Sequence, residues 1–125
     1  MKNRKSAVSI LAAAVLALTA CASPDQAPAT ADVAVSRNAV ENAVAAGAAE
    51  LAPAEITAAR EKMGRANQAL AARDYKLARE LAIQAQADAK LAQSKAVSSK
   101  ATTASTQLNE DLRVLREEVD RANSQ

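Results

Sequence analysis

Several residue types are scarce or absent in this sequence, and each absence narrows what the chain can be. Phenylalanine, tryptophan and histidine are missing, and there are one cysteine, one tyrosine, two glycines and three prolines. Strands favour aromatic and β-branched residues and the turns between them need glycine, so a β fold is not expected. Without histidine and with a single cysteine, the common zinc, haem and nucleophile–base sites cannot be assembled. We therefore expect no catalytic residues, no metal site and no bound cofactor.

Alanine dominates what is present, with 35 of the 125 residues. Alanine combined with leucine, glutamate, lysine, arginine and glutamine favours helices. The sequence predicts an all-α fold, either a helical hairpin or a three-helix arrangement, with helices over about 33–50, 53–72 and 75–122. The last of these is a long, coiled-coil-like helix.

The charges of the chain are nearly balanced. Lysine and arginine number 16 and aspartate and glutamate 14, which gives a formal charge of +2. Lys2, Arg4 and Lys5 lie in a segment that we expect to be removed, which leaves 13 basic residues of the 16 and a mature charge near −1. Because the basic residues are interleaved with acidic ones and form no stripe, nucleic acid is not an expected partner. No small-molecule substrate is expected either.

The N-terminus has the three parts of an export signal. A basic start is followed by an apolar run over 7–18, which is too short for a permanent transmembrane helix of roughly 20 residues. Leu18-Thr19-Ala20-Cys21 follows and resembles the lipobox of bacterial lipoproteins. We therefore predict a signal peptide over 1–20, cleaved between Ala20 and Cys21.

In that interpretation Cys21 is the lipidation site. Its thiol takes up a diacylglyceryl group, and the amine freed by cleavage takes a further acyl chain, so that the chain is held on a membrane. A lone cysteine in an exported protein is thereby explained, since oxidising compartments favour pairs. The alternative is ordinary secretion with cleavage after Ala22. Ala22 follows the cysteine where aspartate would signal retention at the inner membrane. This resemblance to enteric sorting rules implies the periplasmic face of the outer membrane of a Gram-negative bacterium.

The mature chain divides into two parts. The lipidated cysteine and residues up to 32 contain two prolines among small polar residues, so 21–32 is predicted to be a flexible tether. Residues 33–125 form the helical domain, with Asp32 as a candidate N-cap and Pro53 at the start of the second helix. Arg73-Asp74-Tyr75 predicts a hairpin turn, with Asp74 capping the last helix. The stretch 94–107 is rich in serine and threonine, which favours a bend or fraying there.

Apolar residues recur at helical spacing in each predicted helix. The first helix presents a face of Val33, Val40, Val44, Ala48 and Leu51. The second has a seam of large and small residues, namely Ile56, Ala59, Met63, Ala66 and Leu70. The third begins with a face of Leu77, Leu81, Ala85 and Ala92. It ends with a clear seam that we predict to be an interaction face, formed by Leu108, Leu112, Leu115 and Val119, with Ala122 continuing the spacing.

Residues 40–92 resemble a family of Ala-rich bacterial envelope lipoproteins of unknown function. The matching stretches are Ala48-Ala49-Glu50-Leu51-Ala52-Pro53-Ala54-Glu55, Ala59-Arg60-Glu61-Lys62-Met63, Asp74-Tyr75, Ala78-Arg79-Glu80-Leu81-Ala82 and the run 84–92. The resemblance implies a helical-hairpin domain, which in that family is often fused to an OmpA-like peptidoglycan-binding domain.

The chain departs from the family pattern in two places. Arg73 replaces the glycine that precedes the Asp-Tyr pair, so a tight left-handed turn is not expected and the second helix should run almost into the third. No OmpA-like domain follows before Gln125, so direct peptidoglycan binding is not expected from this chain.

Three classes of function can be weighed against these features. The first is a non-enzymatic lipoprotein that acts as a helical scaffold or adaptor for an unknown envelope protein. The second is a structural coiled-coil lipoprotein that self-associates and supports the outer membrane. The third, a carboxylate-based hydrolase, would depend on Glu110/Asp111 or Glu117/Glu118. Adjacent helical residues point about 100° apart, so neither pair converges on one substrate atom, and we expect the protein not to be an enzyme.

Overall fold

The computed structural model describes residues 23–125. The predicted signal peptide, its cleavage site at Ala20 and the lipidation site at Cys21 lie outside these residues. The described chain forms four helices and no strand: α1 (Gln26–Ala45), α2 (Ala48–Leu51), α3 (Pro53–Ala71) and α4 (Tyr75–Asn123). The predicted all-α class with a long C-terminal helix is confirmed.

Helices α1 and α3 both pack against the first half of α4. Asp32 and Ser36 of α1 contact Arg79 and Ala82, in ascending order along α4. In contrast, Lys62 of α3 pairs with Asp88 and Glu55 pairs with Lys95, so these contacts run in the opposite order. Helix α1 is therefore parallel to α4, and α3 is antiparallel to both.

The core of this three-helix body is built mainly from alanine. The fully buried positions of α4 recur at spacings of three and four residues, which are Ala78, Ala82, Ala85, Ala89, Ala92 and Ala96. The α3 seam is confirmed, since Ile56, Ala59, Met63 and Ala66 are buried and Leu70 packs partly against them. Small side chains at these positions allow close approach of the helices, and Ile56 is the largest fully buried side chain.

The tether prediction is wrong from residue 26 onward. Helix α1 begins at Gln26, with Asp25 rather than Asp32 at its N-cap. Pro28 is tolerated because the first turn of a helix has no intrahelical partner for its N–H groups. Ala29 and Val33 are buried against the body, which stabilises the extra turns. Asp32 lies inside the helix instead, where its carboxylate accepts a hydrogen bond from Nε of Arg79 at 2.8 Å.

Helix α1 also ends earlier than predicted. Gly47 follows with φ of +89°, a left-handed conformation that glycine adopts without steric cost, and its N–H donates to the carbonyl of Val44. The short helix α2 then leads to Pro53, which begins α3 as predicted. This break divides the face predicted for the first helix, so that Val33 and Ala48 are buried whereas Leu51 is 38% exposed.

The turn between α3 and α4 corrects a second expectation. Arg73 adopts φ of +63°, the left-handed conformation that the absence of glycine argued against. The N–H of Asp74 donates to the carbonyl of Ala69, and that of Arg73 donates to the carbonyl of Leu70. These two bonds form a Schellman motif, which satisfies the last carbonyls of α3. The Asp74 side chain then accepts from the N–H of Leu77, so its predicted capping of α4 is confirmed.

Helix α4 is continuous over 49 residues, or about 74 Å. The bend or fraying predicted for 94–107 is not found. The hydroxyls of Thr102, Thr103 and Thr106 donate to the carbonyls four residues earlier, so the polar side chains bond to the helix without interrupting it. Across residues 23–125, no helix has the length and hydropathy to cross a membrane.

Candidate interaction face

The second half of α4 leaves the three-helix body. Ala96 is the last buried residue of the helix, and every residue from 101 to 125 is exposed. The helical part of this projection, which we call the α4 extension, covers 101–123 and reaches about 35 Å. No other part of the described chain packs against it.

The predicted interaction face lies on this extension. Leu108, Leu112, Leu115 and Val119 line one side of the helix and are between 41% and 59% exposed. We call these four residues the apolar stripe. Leu112, Leu115 and Val119 also line a shallow groove with Arg116 and Asp120. The structure thus brings the predicted residues together and leaves them uncovered by the described chain.

The apolar stripe does not continue the face that α4 uses inside the body. At about 100° per residue, the mean direction of the stripe is rotated by about 130° from that of the six buried alanines of α4, from Ala78 to Ala96. The stripe is therefore a separate surface from the packed face of α4.

The stripe also lies at the far end of the molecule from the N-terminus. The start of α1 is placed beside the start of α4, because Asp32 pairs with Arg79. Along α4 the stripe begins about 45 Å beyond Arg79 and ends about 60 Å beyond it. The described chain therefore separates its N-terminal end from the exposed apolar surface.

Charged residues surround the stripe in a defined pattern. Arg113 pairs with Glu110 at 2.5 Å and also with Glu117, on the side away from the stripe. The hydrogen bond from Arg113 holds the pKa of Glu110 below its usual value, and the same bond raises the pKa of Arg113. Asp111 and Arg116 lie at the edges of the stripe. Within the described residues Arg116 has no ion-pair partner, and Asp111 accepts only a long bond of 3.4 Å from Gln107.

The acidic pairs considered for hydrolysis lie on the same exposed extension. Glu110, Asp111, Glu117 and Glu118 are all exposed, and none of them lines the groove beside the stripe. A general acid needs a raised pKa, whereas the pKa of Glu110 is lowered by Arg113. Among residues 23–125, no three acidic, cysteine or histidine side chains are grouped so as to hold a metal ion.

The sequence interpretation missed two sets of residues. Arg116 was not singled out, and Asp111 was considered only as half of an acidic pair, although their heptad positions beside the stripe were readable from its spacing of four and three. Buried Ser36 was also missed: its hydroxyl lies 2.6 Å from the carbonyl oxygen of Ala82 and 2.8 Å from that of Asp32. No sequence signal marks this serine as buried, because its burial depends on the packing of α1 on α4.

Comparison with known proteins adds one match. Neither the curated proteins nor the solved structures compared with this chain include a similar one. A family model described as a domain of unknown function, DUF4398, matches residues 31–108. The matched segment covers most of α1, the whole of α2 and α3, and α4 as far as Leu108, so the other three residues of the apolar stripe lie beyond it. Since the match spans more than half of the sequence, the chain belongs to the DUF4398 family.

Proposed function

We propose that this protein is a non-enzymatic lipoprotein of the bacterial envelope, anchored through Cys21, whose helical body serves as a scaffold or adaptor. The anchor would be a set of acyl chains on Cys21 in the outer membrane, facing the periplasm. The partner would be another envelope protein or a second copy of the chain. No nucleic acid, cofactor or small-molecule substrate enters this proposal.

The sequence before α1 supports the anchor. Leu18-Thr19-Ala20-Cys21 follows a basic start and an apolar run, which is the order of a lipoprotein signal. Two or more acyl chains give stable membrane attachment, because each buried methylene contributes about 0.8 kcal/mol. Helix α1 begins only a few residues after Cys21, so an anchored body would lie close to the membrane surface.

The observation that carries the scaffold role is the uncovered apolar stripe at the end of the molecule opposite to residue 23. A chain held at its N-terminus would present Leu108, Leu112, Leu115 and Val119 about 45–60 Å beyond Arg79 along α4. Exposed apolar side chains that line one face of a helix are typical of surfaces that bind a partner. A body of this shape spaces a binding surface from a membrane.

Metabolic labelling tests the anchor. Cells that express the full chain are grown with an alkyne-bearing fatty acid, and the label on the purified protein is measured. We expect the wild-type chain to be labelled and to fractionate with the outer membrane, and Cys21→Ser to be unlabelled. A wild-type chain that is unlabelled and recovered from the periplasm would support ordinary secretion instead.

Photo-crosslinking tests the scaffold role. A photoreactive amino acid replaces Leu112 on the stripe or, as the matched control, Val114, which is similarly exposed at 44% against 41% but faces elsewhere on the helix. We expect crosslinks from position 112 and few from 114. Equal capture from both positions, or none from 112, would argue against the stripe as the binding surface.

The second candidate function is a structural lipoprotein that self-associates through the same stripe. The spacing of the four stripe residues at four and three positions favours it, because this is the seam of a coiled coil. In the crosslinking experiment this function predicts capture of the chain's own copy. Capture of a different envelope protein predicts the adaptor.

A further inference from the structure

The charges beside the apolar stripe indicate what covers it. Placed in a heptad, Leu112 and Val119 occupy a positions, and Leu108 and Leu115 occupy d positions. Position g is then acidic in both available heptads, with Asp111 and Glu118. Position e is occupied by Arg116, which lies between Asp111 and Glu118 in the sequence. The e positions one heptad before and after it are Asn109 and Asn123.

This distribution distinguishes the two orientations of a helix pair. In a parallel pair the g residue of one chain meets the e residue five positions later in the other, so Asp111 would meet Arg116 of the second copy twice by symmetry. In an antiparallel pair g residues meet g residues, so Asp111 would oppose Glu118. We propose that the apolar stripe is covered by the same stripe of a second copy, in a parallel, in-register two-helix coiled coil over 105–122.

The ion pairs within each chain leave these groups available. Arg113, at a b position, uses Glu110 and Glu117, which both lie at f positions on the outer side of such a pair. Within the described residues, Arg116 is in no ion pair that dimerisation would have to break. The last buried residue of α4 is Ala96, so α1 and α3 of each copy end before the seam begins at residue 105.

The seam residues limit the length of the coiled coil. The a and d positions just before residue 105 carry Ser94, Ser98 and Ala101 rather than leucine or valine, so they add little apolar contact to a pair. Pairing is therefore confined to about two and a half heptads. An isolated segment of that length associates weakly, but this one belongs to a helix already formed by packing on the body, so less ordering entropy is lost.

The parallel orientation also deepens the proposed function, on which this step rests. Two chains anchored through Cys21 in one membrane would direct their α4 extensions the same way. Confinement to a membrane raises the effective concentration of one copy for the other, which compensates for a short seam. The stripe would then join two anchored bodies at their far ends.

Disulfide formation in the membrane tests this pairing. The full chain carrying Leu112→Cys is oxidised in isolated membranes, with Val114→Cys as the matched control. We expect a disulfide dimer from position 112, where the two a positions face each other, and little from position 114. Equal yields at the two positions, no dimer at 112, or a disulfide to a different protein would overturn the proposal.

Charge exchange tests the orientation. On the Leu112→Cys background, Asp111→Lys or Arg116→Glu alone should reduce the dimer about fivefold, since each loses two attractive pairs and gains two repulsive ones. When the two differently tagged variants are expressed together, the mixed dimer should recover, because lysine then meets glutamate and aspartate meets arginine. An unchanged or larger dimer yield with Asp111→Lys alone would contradict the parallel pairing of Asp111 with Arg116.

The wild-type chain tests the lipid anchor separately from the pairing of the stripes. Cys21 is the only cysteine of the sequence, and a lipidated cysteine has no thiol to oxidise. A disulfide dimer of the wild-type chain would therefore disprove the anchor. The pairing of the stripes is tested independently in the double variant Cys21→Ser, Leu112→Cys. A disulfide dimer of this variant at high protein concentration in solution supports the pairing whether or not the anchor exists. Absence of the dimer both in solution and in membranes disproves the pairing.

Discussion

The two halves of α4 are one uninterrupted helix in two different environments. From Ala78 to Ala96 the helix is buried along one face by α1 and α3, and its contact residues are mainly alanine. From residue 101 onward every side chain is exposed, although leucine and valine are frequent there. The larger apolar residues of the extension thus lie where nothing else within 23–125 packs, and the smallest lie where packing is closest.

This difference shows that apolar side-chain size does not measure burial in this protein. Alanine allows the three helices to approach closely, whereas the leucines of the extension are too far along α4 for α1 or α3 to reach. The half of α4 with the stronger apolar pattern therefore contributes least to folding of the single chain. Substitutions in the buried half should therefore change folding of the single chain, whereas substitutions in the extension should change association.

Removal of the largest buried side chain should have the largest effect. Ile56→Ala is expected to lower the free energy of unfolding by about 2–4 kcal/mol, because it leaves a cavity where the side chain is 1% exposed. Leu115→Ala, 58% exposed on the extension, should change it by less than about 0.5 kcal/mol in dilute solution. Urea unfolding followed by circular dichroism measures both. Similar losses in the two variants would contradict the separation between body and extension.

Enlargement of a buried alanine should be the next most damaging change. Ala85→Leu adds a branched side chain at a position that is 0% exposed between the helices, so we expect a loss of about 1–3 kcal/mol. Ala104→Leu makes the same change on the exposed extension and should be nearly neutral. Thermal unfolding of the two variants compares them. A tolerated leucine at position 85 would mean that the helices are not closely packed there.

Substitution at the α3–α4 turn should stabilise the body by a smaller amount. Arg73 has φ of +63°, a conformation that costs a residue with a side chain about 1–2 kcal/mol. Glycine removes this cost, but its more flexible unfolded state offsets part of the stabilisation. Arg73→Gly is therefore expected to raise the free energy of unfolding by about 0.5–1 kcal/mol. The adjacent Ala72→Gly, at φ of −75°, should lower it instead. Equal shifts in the same direction would show that the left-handed turn is not the cause.

The pH dependence of the free energy of unfolding should be the smallest effect, and it compares the body with the α4 extension directly. The hydrogen bond from Lys95, followed by that from its own backbone N–H, holds the pKa of Glu55 below its usual value of 4.5. A carboxyl with a lowered pKa in the folded state stabilises the fold above its unfolded pKa and loses this contribution as pH falls through the folded pKa. The stability difference between wild type and Glu55→Gln should therefore be largest near neutral pH and vanish in acid.

The control for this dependence is Glu110→Gln. The pKa of Glu110 is also lowered, by Arg113, but that pair joins residues of the exposed extension alone. Its loss in acid should reduce helical content near the C-terminus without changing the unfolding of the body. Unfolding curves and amide exchange across the pH range separate the two responses.

Much of the fold was predictable because its signals are local. Pro53 marks the start of α3, Asp74 caps α4, and the seam from Ile56 to Ala66 follows helical spacing. The stripe was predictable for the same reason. The boundaries of α1 were not, since they depend on the burial of Ala29 and on the left-handed Gly47 rather than on a capping residue at 32.

Other features arise from contacts between segments that are far apart in sequence. Leu77 was expected in the α4 face but is 41% exposed, whereas Ala78 beside it is buried. Both residues lie at plausible helical spacing, so periodicity alone does not distinguish them. The role of Asp32 was likewise not predictable from local spacing, because its partner Arg79 is 47 residues away in the sequence.

The helical class, the break at Pro53, the turn at Asp74 and the spacing of the apolar stripe follow from local sequence, because each depends on residues within about one or two helical turns. The packing of the helices decided which alanines are buried, how Ser36 and Asp32 are used, and that Arg73 takes a left-handed conformation. It also decided that the stripe has no cover within the described chain. These outcomes depend on how far α1 and α3 extend along α4, and that length is set by packing between helices rather than by the preferences of any one of them.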